Sequence, residues 1–182
     1  KGLITLDGSY NLDERILTHK IIGVLDDLPH FFSQGYKAIV LAVGDNKVRK
    51  EIYDEYIKFG FSFPSVIHPD ACIDDSVSIG IANIVGPKVV LGAGVTVGKN
   101  NIINSACVVE HETIIGSHCH IALGAIICGR TVLGDEIMVG ANATIIDDRV
   151  VANKTVIGAG TTLIHSVSTE GETLVGNPAR KI

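Results

Sequence analysis

The chain has 182 residues, a formal net charge of −5, 46% hydrophobic residues but only 5% aromatic ones, and no tryptophan. The acidic balance argues against a broad phosphate-binding surface for nucleic acid. No apolar run reaches the ~18 residues that read as a membrane span, and no signal peptide is visible.

The apolar mass is Ile, Val, Leu and Ala, which suits β-structure with stacked aliphatic layers. Four cysteines, Cys72, Cys107, Cys119 and Cys128, lack CxxC spacing and read as reduced thiols of a cytoplasmic protein. Residue 1 is Lys, so the expected start is a truncated or processed one.

Residues 1–62 read as a partial α/β domain. LITLDG is a candidate strand, HKIIGVLDD from His19 a strand ending in a turn, and LPHFFSQG a short helix with its cap. KAIVLAVGDN from Lys37 reads as a second buried strand. From Asn46 to Phe59 the apolar residues Val48, Ile52, Tyr56 and Phe59 follow a helical rhythm, with Gly60 as stop. Together these predict a βαβα fragment of a parallel sheet.

From residue 63 the pattern changes. Stepping by six from Ile67 through Ile73, Ile79 and Val85 to Ile157 and Leu163 meets Ile, Leu or Val at all seventeen positions. The next residue is often glycine, as at Gly80, Gly98, Gly116 and Gly140, and the fourth is usually small, as at Ala71, Cys107, Cys119 and Ala143. A period of six fits neither a helix nor an alternating strand. It fits short strands joined by tight turns, the hexapeptide repeat of the left-handed parallel β-helix. Three hexapeptides make one triangular coil of 18 residues. The aliphatic fills the prism, the glycine is expected to relax the corners, and the small residue fits where a corner is tight. The repeats run over about 67–168, with a tail at 169–182.

The phase places the histidines of VVEHETIIGSHCHIALG, Val108 to Gly124. His111 and Glu112 fall at a corner and point outward. His118 shares the phase of Glu112 and is expected at the next corner, while His120 lies on a flat face. Cys107 and Cys119 fall in the inward phase as packed thiols. His118 and His120 do not converge in this reading, so no metal is expected.

The stretches AVGDNKVRKEIYDEY (Ala42 to Tyr56), SVIHPDACI (Ser65 to Ile73), IINSACVVEHETIIGSHCHIALGA (Ile102 to Ala125) and LVGNPARKI (Leu174 to Ile182) occur in this order. In these the chain resembles the sugar O- and N-acyltransferases of the PglD and NeuD type. These pair a Rossmann-like N-terminal domain, here residues 1–62, with a left-handed β-helix, here 63–182. The resemblance implies acetyl-CoA as co-substrate, a homotrimer with active sites between subunits, and His111 as general base, its basicity raised by Glu112. It implies that His120 contacts acetyl-CoA in a groove lined by Gly129, Ala141 and Ala159. The equal spacing of 18 between His111 and Gly129, and between Ala141 and Ala159, suits small residues stacked coil on coil along one channel. By the same resemblance Asn104 faces the acceptor sugar.

The GxGGH-type turn that opens the family's N-terminal domain is missing from this sequence. Asp26, Asp27, Gly44 and Asn46 are the expected remnants of the nucleotide-sugar site. The expected reaction is N-acetylation of a nucleotide-linked amino sugar, a 4-amino-4,6-dideoxyhexose, by direct transfer. The alternatives are sugar O-acetylation of the sialic-acid type and an inactive trimeric scaffold.

Overall fold

The structure, a computed structural model, describes residues 2–7 and 11–182. Its α/β part holds a three-stranded sheet. β1 (Leu3–Thr5) runs parallel to the central β3 (His19–Val24), and β2 (Arg15–Ile16) pairs antiparallel on its other side. A 3-10 turn (Leu25–Asp27) leads into α1 (Leu28–Ser33), which has proline in its first turn.

The segment from Lys37 was expected to be a buried strand and is not one. Its inward residues Ile39, Leu41 and Val43 pack into the small core, but Val40 is 47% exposed. Its backbone finds only an isolated bridge between Ala38 and Ser62. Among the described residues no strand lies alongside it to complete a ladder, so the chain stays extended without becoming sheet.

α2 spans Asn46–Phe59. The Asp45 carboxylate accepts the Val48 N–H at 2.9 Å and so caps its first turn. Gly60, at φ +110, ends it in the left-handed conformation. The buried face is Arg49, Ile52, Tyr53 and Tyr56. Val48 and Phe59, expected to be inward, are exposed instead: Arg49 rather than Val48 is drawn under the helix by its hydrogen bonds, and Phe59 at the helix end packs at the surface against Phe32 and Phe61.

From Val66 onward, two-residue strands recur every six residues and form three parallel faces. The first face stacks the pairs starting at Val66, Ile84, Ile102, His120, Met138 and Val156, and is extended by Thr173–Val175 and Arg180–Lys181. The second stacks those at Cys72, Val90, Val108, Ile126, Thr144 and Thr162. The third stacks those at Ser78, Thr96, Ile114, Val132 and Val150. This is the left-handed parallel β-helix.

From Val85 to Leu163 every sixth residue is at most 2% exposed. Each such side chain contributes about 1.5–3 kcal/mol by leaving water. Ile67, expected in the core, is 45% exposed because it belongs to the terminal coil, which no further coil covers.

The glycines after the aliphatics do a different job from the expected one. A Cβ on Gly98 or Gly116 would stand 2.5 Å from a carbonyl oxygen of the next coil. These glycines therefore permit coils to stack at strand spacing. The left-handed backbone falls two residues later, at Lys88, Asn100, Glu112, His118, Arg130, Glu136 and their equivalents, with Gly94, Gly124 and Gly160 in the same phase.

The small inward phase also carries ladders of side-chain hydrogen bonds. Asn83 accepts the Asn101 N–H at 2.8 Å, and Asn101 accepts the Cys119 N–H at 2.7 Å. The Cys119 thiol continues the column by accepting the Ile137 N–H at 3.4 Å.

Candidate active site

The three edges of the prism carry different chemistry. At the edge between the second and third faces, His111 Nδ1 lies 3.2 Å from Glu112 Oε2. Adjacent residues meet here because Glu112 is left-handed, at φ +58, which turns its side chain back beside its neighbour. With the carboxylate accepting from Nδ1–H, Nε2 carries the lone pair, a tautomer assigned from the hydrogen bond.

One coil further on, Gly129 is buried directly against this ring. A Cβ there would stand 2.7 Å from His111 Nε2. Arg130 shares the edge but is engaged by Asp148, at 2.9 Å through Nε, and by Asp147. Glu112 therefore pairs with His111 alone among the described ion pairs.

At the edge between the first and second faces, Ala141 and Ala159 stack in adjacent coils, the Ala141 carbonyl accepting the Gly160 N–H at 2.8 Å. Asn104 stands at this same edge, half-buried, its side chain accepting the Ser105 N–H at 2.8 Å. Gly129 was expected to share one channel with Ala141 and Ala159. In this chain they stand on different edges, separated by the second face. The reason is simple: 129 and 141 differ by two hexapeptides, not by three.

The edge between the third and first faces is covered by α2. His118, expected to point outward, is only 4% exposed there. Its ring packs edge-on against Tyr53 with centroids 5.7 Å apart, and its Nδ1 lies 2.8 Å from Asn100 Nδ2. Burial holds its imidazole below the ordinary range.

His120 opens a strand of the first face, with Ile102 and Met138 beside it in register. Its Nδ1 lies 3.2 Å from the Gly44 carbonyl, and its Nε2 is enclosed without a partner. Burial lowers its basicity, the Gly44 carbonyl raises it, and the charge of Arg49 lowers it further. The third face separates His111 from His120 within one chain. Among the described residues no three His, Cys, Asp or Glu side chains converge as a metal site.

Of the expected acceptor-site residues, Gly44 and Asn46 line a cleft of about 730 Å³ between the start of α2 and the first face. Lys47, Lys50, Glu136 and Met138 also line it. The Asn46 side chain is committed to the protein: Nδ2 donates to the Glu136 and Ile137 carbonyls at 3.2 and 3.1 Å, and Oδ1 accepts from Arg49 at 2.7 Å. Asp26 is exposed and outside this cleft, and Asp27 caps the Val24 N–H at 2.9 Å.

Sequence reasoning gave Arg49 no role. Its signal was present as the Arg of AVGDNKVR, a charged residue on the buried side of an amphipathic helix.

Residues 61–162 match the family model described as the GMPPB C-terminal domain. No curated protein sequence matches the chain. Among solved structures, the acetyltransferase domain of PglB from Neisseria gonorrhoeae FA1090 is 31% identical, with a TM-score of 0.91 over 100% of this chain and 87% of that one. A histidine-to-asparagine mutant of perosamine N-acetyltransferase from Caulobacter crescentus, in complex with CoA and GDP-perosamine, is 26% identical. It gives a TM-score of 0.93 over 98% of this chain and 84% of that one. WeeI from Acinetobacter baumannii AYE is 25% identical, with a TM-score of 0.82 over 94% and 82%. With the prism, the paired histidine and glutamate at its edge, and this similarity over its whole length, the chain belongs to the hexapeptide-repeat sugar acyltransferases of the PglD and NeuD type.

Proposed function

We propose that the protein transfers an acetyl group from acetyl-CoA to the amino nitrogen of a nucleotide-linked sugar, of the 4-amino-4,6-dideoxyhexose class. The observation that carries this reading is the His111–Glu112 pair at 3.2 Å, with Nε2 left as a base on an accessible edge. The perosamine enzyme is named for N-acetylation and was seen with CoA and GDP-perosamine, which supports the same substrate classes here.

In this mechanism the sugar amine attacks the thioester carbonyl and its nitrogen–carbon bond forms. His111 Nε2 takes the proton released from nitrogen. The carbon–sulfur bond then breaks and CoA leaves as its thiolate, which regains a proton. Glu112 holds the imidazole in the Nδ1–H tautomer, so that Nε2 faces the substrate as the base. No acyl-enzyme is required, because both substrates meet in one ternary complex.

The groove needs two chains, since Gly129 stands on one edge and Ala141 and Ala159 on another. We therefore infer a homotrimer with its sites between subunits, His111 from one chain and His120 from the next. Gly129, Ala141 and Ala159 line the acetyl-CoA groove, and Asn104 faces the acceptor. The exposed apolar residues Val90 and Ile126 of the second face, at 37% and 41%, supply a surface for that contact. The four free cysteines fit a reducing cytoplasm. The described helices include none long and apolar enough to cross a membrane. An acetylated nucleotide sugar of this kind would feed surface-glycan or glycoprotein assembly.

The test is thiol release from acetyl-CoA with UDP-, GDP- and dTDP-linked 4-amino sugars. Turnover with one of them, lost in His111→Ala, is expected. Release only with hydroxyl acceptors would move the reaction to O-acetylation. No release and no acetyl-CoA binding would leave a scaffold.

A further inference from the structure

Arg49 is 1% exposed, yet it takes part in no ion pair among the described residues. Its guanidinium instead faces six neutral acceptors. Nε donates to the Asn100 carbonyl at 3.1 Å. Nη1 donates to the Val43 and Gly44 carbonyls at 2.9 and 3.2 Å. Nη2 donates to Asn46 Oδ1 at 2.7 Å and to the His118 and Cys119 carbonyls, each at 3.0 Å. A buried charge without a counter-charge is costly unless every donor is satisfied, and here every donor is. Three of these acceptors belong to the β-helix edge, two to the extended segment before α2, and one, Asn46, to the first residue of α2. The side chain is therefore a clamp between the two parts of the molecule.

The clamped segment reaches the site. The Gly44 carbonyl that receives Nη1 also receives His120 Nδ1, at 3.2 Å. A ring donating through Nδ1 presents Nε2 as an acceptor, and that nitrogen is enclosed without a partner. We propose that Arg49 is a positioning residue for His120. By pinning the Val43–Gly44 segment to the prism, it fixes the carbonyl that sets the orientation and tautomer of the histidine on the acetyl-CoA side of the site. This rests on the reading of His120 as an acetyl-CoA contact.

The role requires arginine. Lysine offers three rotatable donors from a single nitrogen and cannot span acceptors on both sides. Burial lowers the guanidinium to about 10, so it stays charged at neutral pH. Its charge adds to the burial that keeps His120 neutral.

The experiment combines imidazole nitrogen NMR of His120 with kinetics on the intact protein. In the unsubstituted protein His120 should show one tautomer, with Nδ1 protonated and Nε2 bare. An Nε2-protonated or mixed ring would overturn the proposal without any variant. Arg49→Lys, checked for an unchanged oligomer and a cooperative melt, should mix the tautomers. It should also raise KM for acetyl-CoA about tenfold, the scale of one lost hydrogen bond.

In a His120→Ala background Arg49→Lys should add nothing to that KM. Full additivity, or an unmoved tautomer in Arg49→Lys, would overturn it. If His120→Ala leaves acetyl-CoA affinity untouched, the contact reading of His120 fails. The tautomer spectra then decide the positioning role alone.

Discussion

His111 rests on Gly129 of the next coil, so closely that a methyl group on Gly129 would stand 2.7 Å from the imidazole Nε2. The glycine has an ordinary backbone conformation, so alanine suits the chain, and the three atoms nearest an added Cβ all belong to the histidine. Gly129→Ala is expected to fold and melt normally while tilting the ring away from Glu112. Displacement of a base by about 1 Å lowers kcat on the order of a hundredfold. A variant with unchanged turnover would show that His111 is not held in working geometry by this contact.

Glu112 occupies a left-handed position beside His111 Nδ1. Asparagine is comfortable at positive φ and accepts hydrogen bonds, but carries no charge. Glu112→Asn is expected to preserve stability and reduce kcat about tenfold, less than the 10²–10⁴-fold typical for loss of a general base. His111→Ala supplies the comparison. An effect confined to acetyl-CoA binding would assign Glu112 to the groove rather than to the base.

Much of the prism was legible because a β-helix is nearly one-dimensional: the period of six fixes which residue faces inward. It also put His111 and Glu112 together at one edge, though their contact depended on the left-handed turn, which spacing does not reveal. The same periodicity misled for His118. Its corner phase reads as outward, but the phase does not know that α2 lies across that edge. Gly129 shows a third limit. Counting by 18 finds stacked residues, and a count of 12 from Gly129 to Ala141 had already placed them on separate edges. The extended segment after Lys37 failed for another reason. Its composition is that of a strand, and only the pairing of its neighbours decides whether it becomes one.

Gly140 tests the stacking role of the corner glycines. A Cβ there would run into the backbone nitrogen of Ala159 in the next coil, and backbone cannot rotate aside. Gly140→Ala should destabilise the protein by about 1–3 kcal/mol, as overpacking does, despite alanine's lower entropic cost. Equal stability by chemical denaturation would mean that the coils have room to separate there.

Burial keeps His118 and His120 below the ordinary histidine value of 6.5 in the folded chain. Unfolding releases both to that value. As pH falls below about 6.5 the unfolded chain takes up protons that the folded chain refuses, so stability declines towards the lower folded values. Above the unfolded value both forms are neutral and the stability is fully present. Melting temperature should therefore be level above about pH 7 and fall on acidification. His118→Asn, which suits the left-handed turn, should flatten the fall. Parallel profiles for variant and parent would remove His118 as a source.

The separation of His111 and His120 within one chain leads to a test by mixing. If each site takes His111 from one subunit and His120 from its neighbour, then His111→Ala and His120→Ala trimers are inactive or impaired for different reasons. Unfolded together and refolded at equal ratio, they form mixed rings. At each interface one chain supplies its intact His111 and the next its intact His120 in about a quarter of cases, by random assortment around a closed ring. Turnover should therefore recover to about a quarter of the parent value if the refolded chains assort freely. Parent protein refolded alone gives the reference, and light scattering confirms the ring size. Recovery shows that the two histidines act across a subunit boundary. Persistent inactivity in properly mixed trimers would place both histidines of a working site in the same chain.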